Sequence, residues 1–527
     1  MRKITLAFVP GASPTCIPLG VASLAGFLKK ERPALEVTTV DLSIRFWERL
    51  LQADGQGARL LAFFHGADGN FFEEDAYTEA WRELTPYHQR WQALTLEIDY
   101  ALKNGETLTD SWYGEVLFET LCLAPDHILL LSAAYPNQLL HAAMVAILVK
   151  RRFPGVTVLL GGSALPSIDP ESLLLAVPEI DRVYLGEGEE GVLDYLSDRS
   201  GDGRGWMYLE GTQTILAKRP RAIPMHRIPT PLFEGLDVTR RLMPTPVLPV
   251  AFSRGCRWRK CAFCSHNFGF AGYRTNDVFH FVDQLAQLQQ TYGTGYFYFV
   301  DQYIDAHSLD GIASEIIRQQ LQIRFHVMGR PTSDYTPALF QKLYASGCRW
   351  ISWGVESGAQ ALLDGCNKGT SAAAVATVLK DCHGAGINNL AMMVFGLPGT
   401  TPSLFQETLD FSNDVSDCTH AFTDSSFQLF ENTPYHKNAS IHGIDPAENE
   451  ILFAVGAKQV ISLRRAYVLR REDGIAAVRP GPDEVALWKR WKCWVRGDVF
   501  FETLPAEHYL LFADHLSAHP LNAVAPF

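Results

Sequence analysis

Twice along this chain, short apolar runs alternate with segments of helical periodicity, and that alternation is what most restricts its fold. Strand and helix in regular turn point to parallel sheets covered by helices. In residues 1 to about 200 the predicted strands are 4–9, 37–41, 128–132, 156–161 and 182–185, with helices over 19–30 and 139–153. Near-continuous apolar strands of this kind belong in a doubly wound, Rossmann-like sheet buried on both faces. The long stretch 44–125, rich in Trp, Phe, Tyr and Glu, is predicted to be a helical insertion that touches substrate, since so long a bare loop is uncommon. The alternation resumes over 245–435 as a partial TIM-type barrel of six strand–helix units, with strands at 245–252, 295–300, 324–328, 350–354, 389–394 and 421–429.

Between the halves, 201–244 dissolves into Gly, Asp, Arg and Pro and reads as a linker. After the barrel, 451–468 and 484–498 carry helical apolar spacing, so 436–527 is predicted to be a small, mainly helical cap. A chain of 527 residues, 47% hydrophobic, can bury the cores of such domains, and its formal charge of −12 argues against a dedicated nucleic-acid binder. The run 127–149 is broken by Pro136, Asn137 and Gln138, so no membrane span is expected. The first strand is too short for a signal peptide's apolar region, and ten dilute cysteines suit a reducing cytoplasm.

Chemistry concentrates where the first barrel strand ends. Ser253-Arg254-Gly255-Cys256-Arg257-Trp258-Arg259-Lys260-Cys261-Ala262-Phe263-Cys264 places three cysteines within nine residues. Thiolates are the ligands of iron–sulfur clusters. A structural zinc site closes with four protein ligands, so three leave one metal corner for something that is not protein. A zinc knuckle completed by His266, or three reduced surface thiols, are the alternatives. The other cysteines lack C-x-x-C partners and read as small apolar fillers.

The loop resembles that of the radical S-adenosylmethionine (radical SAM) enzymes, in which three cysteines hold a 4Fe-4S cluster and SAM chelates the fourth iron. The family's usual spacing is C-x3-C-x2-C; here it is C-x4-C-x2-C, with Phe263 where the aromatic belongs. The resemblance implies Cys256, Cys261 and Cys264 as ligands. It also implies a SAM site of Phe263, Asp301, Gln302, Arg330, Glu356, Gly396 and Pro398 at the strand ends. Asp301 and Gln302 would meet the SAM amino group, Arg330 and Glu356 its carboxylate and ribose, and Gly396-Leu397-Pro398-Gly399 its adenine.

The strand ends of the first half read Pro10-Gly11-Ala12-Ser13, Ser132-Ala133-Ala134-Tyr135-Pro136-Asn137, Gly161-Gly162-Ser163-Ala164 and Gly186-Glu187-Gly188-Glu189. With the phrases Pro18-Leu19-Gly20, Leu160-Gly161-Gly162 and Leu185-Gly186-Glu187-Gly188-Glu189, they resemble the cobalamin-binding (B12) domain of B12-dependent radical SAM enzymes. By that resemblance cobalamin would rest against Ser132, Tyr135, Asn137, Gly161, Gly162, Ser163, Gly186, Glu187 and Gly188. The D-x-H-x-x-G motif is absent after the first strand, which implies cobalt without a histidine below it and Tyr135 or Asn137 as its nearest side chains. The implied reaction is reductive cleavage of SAM to a 5′-deoxyadenosyl radical and C-methylation of a specialised metabolite or peptide, with electrons from a flavodoxin or ferredoxin. The rivals are rearrangement, cyclisation or transfer of another SAM fragment with the same cofactors, an RNA-modifying radical SAM enzyme, and a non-catalytic cluster- or corrinoid-binding regulator.

Overall fold

The computed structural model describes residues 3–197, 204–211, 213–216, 220, 222–266, 272–470, 476–477 and 504–516. They fall into two compact units, one built on Met1–Pro246 with Asn449–Leu463, the other beginning at Val247. Among the described residues no helix is long and apolar enough to cross a membrane.

The first unit is a seven-stranded sheet. Its strands are β1 (Lys3–Phe8), β2 (Glu36–Asp41), β3 (Ile128–Ser132), β4 (Thr157–Gly161), β5 (Arg182–Tyr184), β6 (Trp206–Glu210) and β7 (Gln213–Leu216), in the order β2-β1-β3-β4-β5-β6-β7. The first five pair in parallel, as the buried apolar runs of β1, β3 and β4 require. Ser132 is level with both Phe8 and Gly161, so three strands end at one height.

Strands β6 and β7 lie in the stretch expected to be a linker. They pair antiparallel, β6 against β5, with Trp206 and Met207 buried. The local composition hides this because an edge hairpin needs only one apolar strand.

The expected insertion is five helices, Leu42–Leu51, Gly55–Phe64, Glu74–Glu83, Thr85–Asn104 and Trp112–Thr120. Their aromatic rings form the packing. Trp47 stacks on Trp91 at 5.1 Å, Trp91 on His141 at 5.6 Å, and Phe46 tilts against Tyr113 at 4.7 Å. Trp47 Nε1 donates to Ala12 O at 3.0 Å, which ties the insertion to the loop after β1.

In the second unit, β8 (Val247–Val250) opens a six-stranded parallel sheet. A short antiparallel pair follows, β9 (Ser253–Arg254) and β10 (Arg274–Thr275), then β11 (Tyr296–Phe299), β12 (Arg324–Gly329), β13 (Cys348–Glu356), β14 (Asn388–Phe395) and β15 (Ala421–Ser426). The order is β15-β14-β13-β12-β11-β8. Every residue of β13 is buried, as the central strand of such a sheet must be. Five helices of this unit start at a capping side chain. Asp277, Asp305, Thr336, Ser371 and Thr401 accept from the backbone N–H groups of His280, Ser308, Leu339, Ala374 and Leu404.

The C-terminal part departs from expectation. Residues 451–468 are not helical: after β16 (Leu429–Phe430) the chain forms the long strands β17 (Ile444–Val455) and β18 (Lys458–Arg470). Strand β18 pairs antiparallel with β16, Leu429 opposite Arg465. A distant partner strand outweighs a local 3.6-residue spacing in a Val- and Ile-rich segment. A helix follows at Ala506–Leu516, and the expected helix at 484–498 lies outside the described residues.

Candidate active site

The cysteine loop is braced before it starts. Asp301, just past β11 and 2% exposed, accepts from Phe252 N at 3.1 Å and from Ser253 Oγ at 2.6 Å, and also from Ser253 N. Burial pushes its carboxyl up to about 6 against those hydrogen bonds. Gly255, at φ +83°, lets the chain turn where a Cβ would sit 2.5 Å from Gly272 O.

The loop is then clamped by two consecutive carbonyls, and the next two hold Arg330 beside it. Cys366 O accepts from Ala262 N at 2.8 Å, Asn367 O from Trp258 Nε1 at 2.9 Å, and Lys368 O from Arg330 Nε at 3.0 Å. Gly369 O accepts from Arg330 Nη2. The Arg330 guanidinium also lies over the Trp258 ring, 3.9 Å from its centroid. Gly369, at φ +68°, has no room for a side chain, because a Cβ would fall 2.1 Å from Trp258.

Held this way, Cys256, Cys261 and Cys264 are half-buried free thiols. Burial pushes Cys261 up to about 11; Lys368 pulls it back, and Cys264, Glu356 and Cys256 push it further. Among the described residues no three His, Cys, Asp or Glu side chains converge as one ion would need. A cubane makes a different demand, one thiolate at each of three separate corners, and a soft all-thiolate set suits it. His266, on the same loop, is exposed.

Around the thiols lie most of the residues expected from sequence. Phe263 packs on a buried cluster that includes Ala262, Cys366, Leu397, Phe427 and Tyr435. Leu397 brings its neighbours Gly396, at φ +74°, and Pro398 to that wall. Glu356, at the end of β13 with φ +67°, receives Lys368 Nζ at 2.6 Å. Gln302 Oε1 is buried and has no hydrogen-bond partner among the described residues. Asp301 is turned back on β8 and the start of the loop. Sequence reasoning missed Trp258, Lys368 and the Cys366–Gly369 segment. The only local trace was a lysine between Asn367 and Gly369 just ahead of the Ser371 cap.

In the first unit, β1 and β3 are neighbours whose following chains leave in opposite directions, to β2 and to β4. Such a switch point opens a crevice at the carboxyl ends of the strands. Gln138, fully buried, fixes it. Its Nε2 donates to Val9 O at 2.6 Å, and its Oε1 accepts from Ala134 N at 2.8 Å and Tyr135 N at 3.1 Å. Asn137 Nδ2 donates to Gly11 O at 2.7 Å, Ser163 Oγ donates to Ala134 O at 3.0 Å, and Tyr135 is 46% exposed with its hydroxyl 3.7 Å from Cys16 Sγ. Beside Ser132, Gly161 faces open space, since a Cβ there would meet nothing within 4 Å. Gly162, at φ +115°, instead abuts Ala133 O. Gly186 lies against Pro220, and Glu187 stands before the helix that starts at Gly188. Of Gly161, Gly162 and Gly186, only Gly161 therefore leaves space at this rim.

Residues 250–412 match the Radical SAM superfamily. An uncharacterized methyltransferase of Pyrococcus horikoshii is 25% identical over 296 residues, covering 54% of this chain and 63% of its own. An anaerobic magnesium-protoporphyrin IX monomethyl ester cyclase of Rubrivivax gelatinosus is 26% identical over 280 residues, covering 50% and 49%. The chain therefore spans less than two thirds of the length of these relatives. Among solved structures, the cobalamin-dependent S-adenosylmethionine radical enzyme OxsB superposes with a TM-score of 0.64 at 14% identity, covering 98% of this chain and 75% of that one. The radical S-adenosylmethionine methyltransferase TsrM of Kitasatospora setae superposes with a TM-score of 0.61 at 15% identity, covering 97% and 90%. Residues 250–412, which carry the clamped three-thiol loop, thus match the Radical SAM superfamily, and the chain has the fold of the cobalamin-dependent radical SAM enzymes.

Proposed function

We propose that this chain is a cobalamin-dependent radical SAM enzyme that methylates an unactivated carbon of a small molecule or peptide. The observation that carries the reading is the placement of Cys256, Cys261 and Cys264 on a loop clamped at the end of β8, the first strand of a six-stranded parallel sheet. When bound, a reduced cluster supplies the electron that cleaves SAM, and cobalamin supplies the methyl group.

The chain's own residues hold the parts. The three cysteines take three corners of the cluster, and Phe263 walls it on the side of Leu397 and Tyr435. Gln302 offers the SAM ammonium an acceptor with no other partner among the described residues, and Arg330 offers its carboxylate a cation already fixed over Trp258. Gly396 and Pro398 present a backbone edge to the adenine. Asp301 acts one step back, by anchoring Phe252 and Ser253. In the first unit, the rim of Ser132, Tyr135, Asn137, Gly161, Gly162, Ser163, Gly186, Glu187 and Gly188 receives the corrinoid. A flavodoxin- or ferredoxin-type carrier in a reducing cytoplasm provides the electron.

Two experiments test this. Cys261→Ala should abolish reductive cleavage of SAM in anaerobically reconstituted protein; undiminished 5′-deoxyadenosine would remove the cluster assignment. Protein from B12-fed cells should carry corrinoid near one to one, and a colourless, fully active preparation would remove cobalamin. A second reading, cyclisation with the same cofactors, draws on the relatives named as cyclases. Product mass separates the two, because methyl transfer adds a methyl group and releases S-adenosylhomocysteine.

A further inference from the structure

Lys368 and Glu356 form a buried ion pair beside the thiols, with Nζ 2.6 Å from Oε1 and side chains 8% and 10% exposed. Such a pair is a weak device for stability, since desolvating two charges offsets much of their attraction and apolar replacements often do as well. The fold nevertheless goes to some length to keep it. Gly354 has no side chain where a Cβ would lie 2.6 Å from Lys368 Nζ and 3.0 Å from Glu356 Oε1, and Glu356 itself adopts φ +67°, which a non-glycine residue rarely does. The two carbonyls before the lysine, of Cys366 and Asn367, receive Ala262 N and Trp258 Nε1 of the loop, so its backbone is fixed with respect to the cysteines.

The pair has a direction. Lys368 follows Cys366 by two residues, and Cys366 O holds Ala262 N at 2.8 Å right after Cys261, so the pair stands on the thiols' side, where the lysine pulls the Cys261 and Cys264 thiols down and the glutamate pushes them up. A charge fixed in a poorly solvated site acts far more strongly than one in water. A group that gains an electron beside a cation is easier to reduce, and beside an anion harder.

We propose that Lys368 and Glu356 are positioning residues that set the reduction potential of the cluster on Cys256, Cys261 and Cys264, the lysine raising it and the glutamate holding it down. The inference rests on the cluster reading above. It predicts shifts of opposite sign from two substitutions in one ion pair, which loss of packing does not produce.

The test is potentiometry followed by electron paramagnetic resonance on reconstituted protein without SAM. Lys368→Met should lower the reduced-to-oxidised ratio at a fixed potential about tenfold, about 59 mV for a one-electron couple. Glu356→Gln should raise it by a similar factor, and Lys368→Arg should stay near wild type. Where a single variant fails to fold, the double variant Lys368→Met with Glu356→Gln, which buries no lone charge, should return towards the wild-type potential. Shifts of the same sign in both single variants, no shift in either, or a double variant displaced as far as Lys368→Met would overturn the proposal. Wild-type protein that takes up no iron would instead defeat the cluster reading itself.

Discussion

The indole N–H of Trp258 donates to the carbonyl of Asn367 at 2.9 Å, across more than a hundred residues of sequence. This bond, with Ala262 N to Cys366 O, joins the cysteine loop to the segment between β13 and β14. The thiols are therefore placed by a distant stretch of backbone as much as by their own spacing.

Trp258→Phe keeps a ring under Arg330 and deletes the donor. A neutral hydrogen bond lost from a half-buried site costs about 1 kcal/mol. The variant should fold, and its reconstituted cluster should lose iron to a chelator several-fold faster than wild type, followed as decay of the visible absorbance.

Asp301→Asn replaces an acceptor-only carboxylate with an amide that must turn one NH2 face towards donors. Of Phe252 N, Ser253 N and Ser253 Oγ, at least one loses its acceptor, at about 1–3 kcal/mol for a buried group. Thermal unfolding should show a lowered Tm, and iron incorporation should fall with it. Asp301→Glu should not rescue, because its longer arm moves the carboxylate away from three donors fixed in place.

The two adjacent glycines at the end of β4 should separate packing from ligand binding. Gly162→Ala forces a Cβ to within 2.1 Å of Ala133 O at φ +115° and should destabilise the fold by several kcal/mol, about 1–3 kcal/mol of it from the backbone conformation alone. Gly161→Ala meets nothing within 4 Å and should leave Tm near wild type while weakening corrinoid binding, measured by absorbance titration. Unchanged corrinoid affinity in Gly161→Ala would move the ligand away from this rim.

Burial among Trp91, Tyr113 and the loop after β1 holds His141 neutral, its pKa pushed down to about 3. In the unfolded chain it protonates near 6.5. Between those values the unfolded state binds the extra proton, so stability is full above about pH 6.5 and falls as the pH drops towards 3, by at most about 1.4 kcal/mol per pH unit for this residue. Denaturant unfolding of His141→Gln across that window should show a shallower pH slope than wild type; an identical slope would mean the imidazole is charged in the folded protein.

The repeating strand-and-helix rhythm was enough to place the parallel strands of both units, because an apolar run bounded by turn residues has few other uses. The cysteine loop was equally visible, being contiguous. Three features were not. Strands β6 and β7 sit in a stretch of polar and glycine-rich composition and owe their order to pairing with β5. Strands β17 and β18 carry a spacing that also suits a helix, and pairing with β16 decides between them. Lys368 belongs to no motif, and only folding puts it against Glu356, twelve residues earlier.

What the sequence determined by itself was therefore what is local in the chain: which residues alternate, where strands end, and that three thiols share a short loop. The tertiary structure decided what each polar group at those ends has left to offer, turning Asp301 inward, leaving Gln302 Oε1 without a partner among the described residues and burying Lys368 beside the cysteines. The physical reason is that a side chain's chemistry depends on its partners and its solvation, and both are set by segments that meet only when the sheet forms.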